Sequence, residues 1–163
     1  MVADLAADYG EVELVRRRRA VDPDEYDRVV GAFESFGRVG GACARVTDPD
    51  GRALLVRPEA GAAWFDPGDG LDPGESYEAC ARRAVREATG LEATVTGLEQ
   101  LRLFCLDDGA RPPVPDVAVV LRGHAEGDPT PGSAAAARWF EQPPDRLGYP
   151  ELAGFPTAES PSR

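Results

Sequence analysis

The stretch DPGDGLDPGESYEACARRAVREATGL, residues 66–91, is the feature that most restricts how this chain can fold. A loop rich in Gly, Pro and Asp leads into a segment that predicts a helix from about Ser76 to Ala88. Gly90 is placed to end that helix in a left-handed conformation. Strand-like runs lie on both sides of the segment in sequence, so the order of elements predicts helices packed on a mixed sheet.

The remaining patterns extend this picture. Asp22 and Pro23 open a predicted helix that ends near residue 36. Strands are predicted in VELVRRRR, RVGGACARV, RALLVRP, EATVTGLEQLRLFCL, PDVAVVLRGHA and ARWFEQ, and PDRL is expected to start a short closing helix. We therefore expect three parts: a strand-helix extension over 1–36, the main domain over 37–156, and a flexible tail over 157–163.

The charge balance excludes some partners. The chain has 29 acidic residues against 18 basic ones, all of them Arg, and a net charge of −11. Such acidity disfavours nucleic acid and anionic membranes as partners. The acidity and the absence of Lys resemble proteins of salt-loving archaea, although a GC-rich genome would also favour Arg over Lys. Without a signal peptide or a long apolar run, a cytoplasmic location is expected.

The three cysteines and the single histidine indicate no disulfide framework or zinc site. Cys43, Cys80 and Cys105 have no CxxC spacing, and His124 is the single histidine. This set predicts neither a disulfide framework nor a zinc site. Reduced thiols are the expected state, and Cys80 on the predicted helix is expected in the core.

Residues 66–91 resemble the signature box of the Nudix hydrolase superfamily: Gly, five residues, Glu, seven residues, Arg-Glu-aliphatic-x-Glu-Glu-x-Gly-aliphatic. The matching positions are Glu75, Arg83, Val85, Glu87, Gly90 and Leu91. Trp64, Pro67 and Gly68 before the box, and Arg138 to Phe140 after it, are also similar to family members. The resemblance covers roughly residues 38 to 156.

The resemblance implies an α+β fold, an α/β/α sandwich with a mixed sheet flanked by helices. It also implies hydrolysis of a nucleoside diphosphate linked to another group, with Mg²⁺ or Mn²⁺ bridging the diphosphate. Glu75 would pair with Arg83 to brace the loop against the helix, and Glu87 would complete the catalytic set. Gly68, Glu87 and Asp69 would be the candidate metal ligands.

The chain departs from the family where metal ligands belong. Positions 84, 87 and 88 lie within roughly 100° of arc on a helix, so carboxylates there would converge. Ala84 and Ala88 stand where two of these three glutamates are expected, and only Glu87 remains. The loop before RWF, which often adds a further acidic ligand in relatives, has no carboxylate over 130–140.

Other residues allow two interpretations each. Asp66, Asp69 and Asp72 form either a relocated metal site with Glu87 or an acidic loop in an acidic protein. Arg57 either binds a substrate phosphate or is a solvated residue at a strand end. Trp64 either stacks on a base or packs at the sheet edge. The four arginines from Arg16 to Arg19 either bind phosphates or pair with nearby carboxylates.

Three functions therefore stay open. The first is a weak or non-catalytic Nudix domain that binds a nucleotide or another phosphoanhydride ligand. The second is an active Mg²⁺-dependent hydrolase with a modified carboxylate set. The third is a protein–protein interaction module, and a homodimer is a candidate assembly in each case.

Overall fold

The computed structural model describes residues 13–36 and 40–148 of the chain. The predicted tail over 157–163 lies outside the described residues. The helices are α1 (Pro23–Phe36) and α2 (Tyr77–Thr89). The strands are β1 (Glu13–Ala20), β2 (Gly41–Thr47), β3 (Ala53–Arg57), β4 (Gly68–Gly70), β5 (Thr94–Asp107), β6 (Val114–His124) and β7 (Ala136–Phe140).

The described strands form one mixed sheet in the order β1-β5-β6-β2-β3-β7, and β4 pairs with β2. β1 runs parallel to β5, and β2 runs parallel to β6. The pairs β5–β6, β2–β3, β2–β4 and β3–β7 are antiparallel. The α+β class, a mixed sheet flanked by helices, is confirmed.

The main core lies between α2 and one face of the sheet. Side chains alternate between the two faces of a strand, and Ala42, Ala44 and Val46 of β2 face Cys80 and Val85 of α2 within one buried cluster. The other face of β2 therefore carries Cys43 and Arg45. This alternation places polar side chains on the face that α2 does not cover.

Both ends of α2 are capped, and the cap at Gly90 is the predicted one. The side chain of Ser76 accepts a hydrogen bond of 3.1 Å from the amide of Ala79. Gly90 has φ 73° and donates its amide to the carbonyl of Arg86 at 2.8 Å. Because a side chain at this φ costs energy that Gly does not, Gly90 ends the helix at the expected place.

The N-terminal strand and helix join the sheet directly. β1 is in register with β5 from Glu13↔Gln100 to Ala20↔Asp107. The hydroxyl of Tyr26 on α1 donates to the carbonyl of Pro112 at 2.6 Å. β1 is thus an integral strand of the sheet, although its sequence precedes the part that carries the resemblance.

The expected closing helix is wrong as far as the structure describes that segment. Residues 141–148 contain no helix. Instead, the amide of Trp64 donates to the carbonyl of Arg146, and the amide of Gly148 donates to the carbonyl of Trp64, each at 2.8 Å. Backbone pairing with Trp64 takes the place of helical hydrogen bonds in this segment, and the preceding Pro143-Pro144 pair disfavours helical geometry before it.

Replacement of a core leucine tests the packing. Leu121 is 1 % exposed within the main cluster, so L121A should lower the free energy of unfolding by about 2–5 kcal/mol through lost burial and a cavity. The control L14A, at a side chain that is 39 % exposed, should change it by less than about 0.5 kcal/mol. Urea unfolding followed by circular dichroism measures both, and equal losses would contradict the assigned core.

Candidate functional site

The guanidinium of Arg83 is the centre of the candidate site. Its Nε and Nη2 donate to the two carboxylate oxygens of Glu75, each at 2.9 Å. This two-point contact ties the loop before α2 to the second turn of the helix. The side chain of Glu75 is 13 % exposed and that of Arg83 is 15 % exposed, so the pair is shielded from water. Planar two-point pairing of this kind is stronger than a single hydrogen bond.

The pKa values of both groups reflect this pairing. The hydrogen bonds from Arg83 lower the pKa of Glu75 to about 2, against an ordinary value of 4.5. Hydrogen bonds to Glu75 and then Asp69 raise the pKa of Arg83. Glu75 is therefore ionised throughout the neutral range and serves as a brace rather than as a proton acceptor.

Arg83 also holds the carboxylates that the sequence assigns to metal. Its Nη1 donates to Asp69 at 2.9 Å and to Glu87 at 3.2 Å. Its Nη2 donates to the carbonyl of Gly70 at 2.9 Å, and its Nε lies 3.4 Å from the carboxylate of Asp72. The structure thus brings these acidic side chains together, but it brings them to a cation.

The two alanines of the box lie in an apolar environment. Ala84 is 4 % exposed and Ala88 is 8 % exposed. Ala88 belongs to a small buried cluster with Val56, Ala134 and Ala137. A cavity of about 110 Å³ remains beside them, lined by Val56, Pro58, Gly68, Asp69, Ala84, Glu87, Ala88, Ser133 and Ala134.

These residues do not fit a divalent ion. Mg²⁺ and Mn²⁺ prefer oxygen ligands, whereas the cavity presents methyl groups from Ala84, Ala88 and Ala134. Its two carboxylates, from Asp69 and Glu87, are both bound to Arg83. Across residues 13–36 and 40–148, no three His, Cys, Asp or Glu side chains are grouped so that they could hold a metal ion.

The loop before β7 packs directly on the end of α2. The amides of Thr130, Gly132 and Ser133 donate to the carbonyls of Thr89, Ala88 and Glu87 at 2.8, 3.2 and 2.8 Å. These bonds satisfy carbonyls that the last turn of a helix leaves without an internal partner. A Cβ added at Gly132 would lie 2.2 Å from the carbonyl oxygen of Glu87, so the backbone approach requires glycine.

Asp66 lies in a different environment from Asp69. Its side chain is 2 % exposed, and its carboxylate is 3.6 Å from the guanidinium of Arg45, which is also buried. Arg45 in turn lies 3.7 Å from Glu99, and Glu99 lies 3.1 Å from Arg122. Asp66 therefore anchors the loop to β2 through a buried ion pair.

A larger cavity of about 380 Å³ lies next to the apolar one. Both cavities are lined by Val56, Pro58, Gly68 and Asp69. The larger one is further lined by Gly41, Ala42, Cys43, Phe65, Asp66, Arg102, Phe104 and Ala118. Arg102 is 3 % exposed and donates its Nε to the side chain of Gln100 at 2.7 Å.

Arg57 and Trp64, the predicted substrate contacts, lie against each other. The guanidinium carbon of Arg57 is 4.5 Å from the ring centroid of Trp64, and that of Arg138 is 5.8 Å away. Trp64 is 4 % exposed and contacts the ring of Phe140 edge-on at 4.9 Å. This geometry favours the packing interpretation of Trp64, while a ligand contact by either residue stays a prediction.

Three other residues singled out in the sequence are ion-paired or buried. Arg18 lies 3.5 Å from Asp107, and Arg19 pairs with Glu25, as the carboxylate-pairing interpretation expects. Cys80 is fully buried, and burial raises the pKa of its thiol to about 11. In the described ranges, neither helix is long and apolar enough to cross a membrane.

A comparison of the chain with models of known protein families identifies its family. The model of the NUDIX domain matches residues 37–154, which is more than half of the chain. This chain belongs to the Nudix family. The family resemblance of residues 66–91 is thereby confirmed, and Nudix hydrolases generally use Mg²⁺ or Mn²⁺.

Solved structures support the same fold. A MutT protein from Methanosarcina mazei is 19% identical, with a TM-score of 0.51 over 63% of this chain and 76% of that one. A Nudix hydrolase from Nitrosomonas europaea is 23% identical, with a TM-score of 0.51 over 63% and 72%. An Ap4A hydrolase from C. elegans is 16% identical, with a TM-score of 0.50 over 63% and 79%. No curated protein matches the chain significantly.

Sequence reasoning missed several residues of this Nudix site. Phe65, Arg102 and Phe104 line the larger cavity, and none was singled out. The one available signal was the charge of Arg102 inside the apolar run LRLFCL. The contact of the 130–135 loop with α2 depends on distant backbone groups, and Gly132 carried no signal in the chain alone.

The pH dependence of stability tests the brace. The folded pKa of Glu75 is depressed, so its contribution is present above about pH 4.5 and is lost as pH falls towards 2. E75Q should lower the free energy of unfolding by about 1.5–3 kcal/mol near neutral pH, and this difference should shrink below pH 4.5. Urea unfolding at a series of pH values measures the difference in unfolding free energy between E75Q and the unmodified protein. E126Q, at an exposed carboxylate, is the control, and a difference unchanged by pH would contradict the assignment.

Replacement of Gly132 tests the contact between the loop before β7 and the end of α2. G132A should lower the free energy of unfolding by about 1–3 kcal/mol, because its methyl group would overlap the carbonyl of Glu87. The matched control is G31A in α1, where a Cβ meets nothing within 4 Å. That change should be neutral or stabilising by about 0.5–1 kcal/mol. Thermal unfolding of the two variants measures both changes in the free energy of unfolding. Equal changes would contradict the close approach of Gly132 to the carbonyl of Glu87.

Proposed function

We propose that this Nudix protein binds a nucleotide or another phosphoanhydride ligand and has weak or no hydrolytic activity. The proposal rests on which carboxylates of the box are present and on what they contact. Buried alanines stand at 84 and 88, and the remaining carboxylates of Asp69 and Glu87 are ion-paired with Arg83. Loss of a positioned base alone costs about 10²–10⁴ in rate.

Binding without turnover is supported by what the chain keeps. The brace between Glu75 and Arg83 holds the loop that carries Gly68 in place beside both cavities. The larger cavity, at about 380 Å³, is within the range of small-molecule sites. A preserved scaffold with a ligand-sized cavity favours a binding function over a protein–protein interaction module.

An active hydrolase with a modified carboxylate set is the second candidate. Its support is family membership together with Glu75, Arg83 and Glu87 at their box positions. Glu87 would then be the catalytic carboxylate, and Asp69 would replace a missing ligand. The ion pairs of Arg83 weigh against it, because a divalent ion would have to compete with the guanidinium for both carboxylates.

Turnover measurements separate the candidates. Nucleoside triphosphates and Ap4A, named for one structural relative, should bind without hydrolysis in Mg²⁺ or Mn²⁺, at low and high KCl. Isothermal titration measures binding, and phosphate release measures hydrolysis. Unmodified protein that turns over at about 1–10³ s⁻¹, typical of enzymes, would overturn the proposal. Absence of binding across the panel would favour the interaction module.

A variant in which glutamate replaces both alanines tests whether hydrolysis can be restored. A84E/A88E should raise Mg²⁺-dependent hydrolysis at least about tenfold, because it returns the missing oxygens beside Glu87. Ala134 packs on Ala88, so A84E/A88E/A134G is made in parallel to give the new side chain room. The matched control is A79E, which adds a carboxylate at an exposed position of the same helix. An equal gain in A79E would contradict the assigned positions.

A further inference from the structure

A groove lies over β5 at the β1 edge of the sheet. Its volume is about 400 Å³, and it is lined by Arg16, Arg17, Arg18, Leu103, Phe104, Cys105, Pro113 and Pro115. None of these described residues lies in α1 or α2, and Phe104 is the one that also lines the larger cavity. This β5 groove is therefore a separate surface from the two cavities of the candidate site.

Strand order and register explain how the β5 groove forms. β1 and β6 flank β5 in the sheet. Arg16 pairs in register with Leu103. Arg18 pairs with Cys105, which pairs in turn with Pro115. Because residues in register lie on the same face of a sheet, the groove has a floor from β5, a wall of arginines from β1 and a wall from the start of β6.

The arginines of β1 keep hydrogen-bond donors for a partner. Arg16 is exposed and has no ion pair within the part of the chain that the structure describes. The side chain of Arg18 is 70 % exposed, and its contact with Asp107 at 3.5 Å leaves most of its five N–H donors for another acceptor. Since Glu13 is the single acidic residue of β1 beside four arginines, this strand is locally positive on a chain of net charge −11.

The floor of the β5 groove is apolar and only partly covered. Leu103 and Phe104 are half-buried, while Pro113 and Pro115 are exposed. Leu14, which is 39 % exposed, lies two residues before Arg16 and so on the same face of β1. Arginines alone would suffice to keep an edge strand from pairing with another sheet. Apolar surface with a charged rim is instead typical of a contact surface.

This combination of charge and apolar surface indicates the chemistry of the partner. Carboxylates pair with guanidinium groups through two parallel hydrogen bonds, and apolar side chains next to them would cover the floor. A long nucleic acid would extend beyond the groove onto a surface of net negative charge, whereas a short acidic segment would not. A second copy in a two-fold contact would place these arginines against their own equivalents.

We propose that the β5 groove binds an extended acidic segment of a partner protein. Carboxylates of the segment contact Arg16 and Arg18, and its apolar side chains cover Leu103 and the prolines. The eight residues of β1 span about 26 Å, so a segment of about eight extended residues matches the arginine wall in length. This interaction is additional to the proposed ligand function and does not depend on it.

Fluorescence anisotropy with short peptides tests the proposal on the full chain. The probe is a labelled peptide of about eight residues in which glutamate and leucine alternate, used at low ionic strength. We expect binding that weakens at least about tenfold when lysine replaces glutamate, when serine replaces leucine, or when salt is raised to about 1 M. Absence of binding up to about 1 mM, or equal affinity for the lysine peptide, would overturn the proposal. Tighter binding of an oligothymidine of similar length would overturn it in favour of nucleic acid.

Charge reversal on β1 tests whether the peptide binds in the groove. R16E/R18E should weaken binding of the glutamate–leucine peptide at least about tenfold. The matched control is R82E/R86E, which changes the net charge equally at two exposed arginines of α2 and should change the affinity less than about threefold. R16Q/R18Q replaces the first variant if that one does not fold. Equal losses in variant and control would show that net charge alone attracts the peptide, and would refute the assigned groove.

Sedimentation velocity without peptide tests the second copy as the occupant. We expect R16E/R18E to leave the oligomeric state of the protein unchanged. Self-association of the unmodified protein that this variant abolishes would assign the β5 groove to another copy of the chain and overturn the proposal.

The exposed thiol of Cys105 reports on the floor of the groove. A bound peptide should slow the alkylation of Cys105 by iodoacetamide at least about threefold, because alkylation requires access to the sulfur. Cys43 lines the larger cavity and not the groove, so its alkylation should be unchanged and serves as the internal control. Mass spectrometry of the alkylated peptides measures both rates. An unchanged rate at Cys105 under saturating peptide would place the bound segment elsewhere and overturn the proposal.

Discussion

The guanidinium of Arg83 is the interaction on which this site depends. It joins the loop before α2 to the helix through Glu75, and it neutralises Asp69 and Glu87 at the same time. A brace of this kind does not need a metal, because the cation is supplied by the chain itself. The loop therefore keeps its shape, with Gly68 at the boundary between two cavities, although alanine stands at positions 84 and 88 of the helix.

The alanines change how the end of α2 is stabilised. Three carboxylates on one helix face repel each other unless a cation lies between them. Ala84 and Ala88 remove that repulsion, and their methyl groups allow Val56 and Ala134 to pack closely. The glycine at 132 then lets the loop before β7 reach the helix carbonyls. Apolar contact and backbone hydrogen bonds occupy the region where the family chemistry would need oxygen ligands.

The two cavities respond differently to these changes. The larger cavity is lined by strand residues, by Pro58 and by the segment from Phe65 to Asp69, and none of its described lining residues lies in α2. The smaller cavity is formed by α2 and the loop before β7, where the substitutions lie. A Nudix scaffold can therefore carry alanine at two positions of the box helix and keep the larger cavity. Family membership here specifies the fold and the arrangement of the site, and the side chains decide the activity.

The chain by itself determined the fold class and the position of α2 with its Gly90 cap, which depend on local periodicity and on a glycine that is readable along the sequence. The brace between Glu75 and Arg83 was implied by the family resemblance of residues 66–91. Only the tertiary structure decided that Asp66 pairs with Arg45, and that Gly132 meets Glu87. Both contacts join segments far apart in sequence, so their distances follow from the packing of the sheet and not from any local pattern. For the same reason the helix expected at PDRL is absent from the described residues: the backbone of this segment pairs with Trp64 instead.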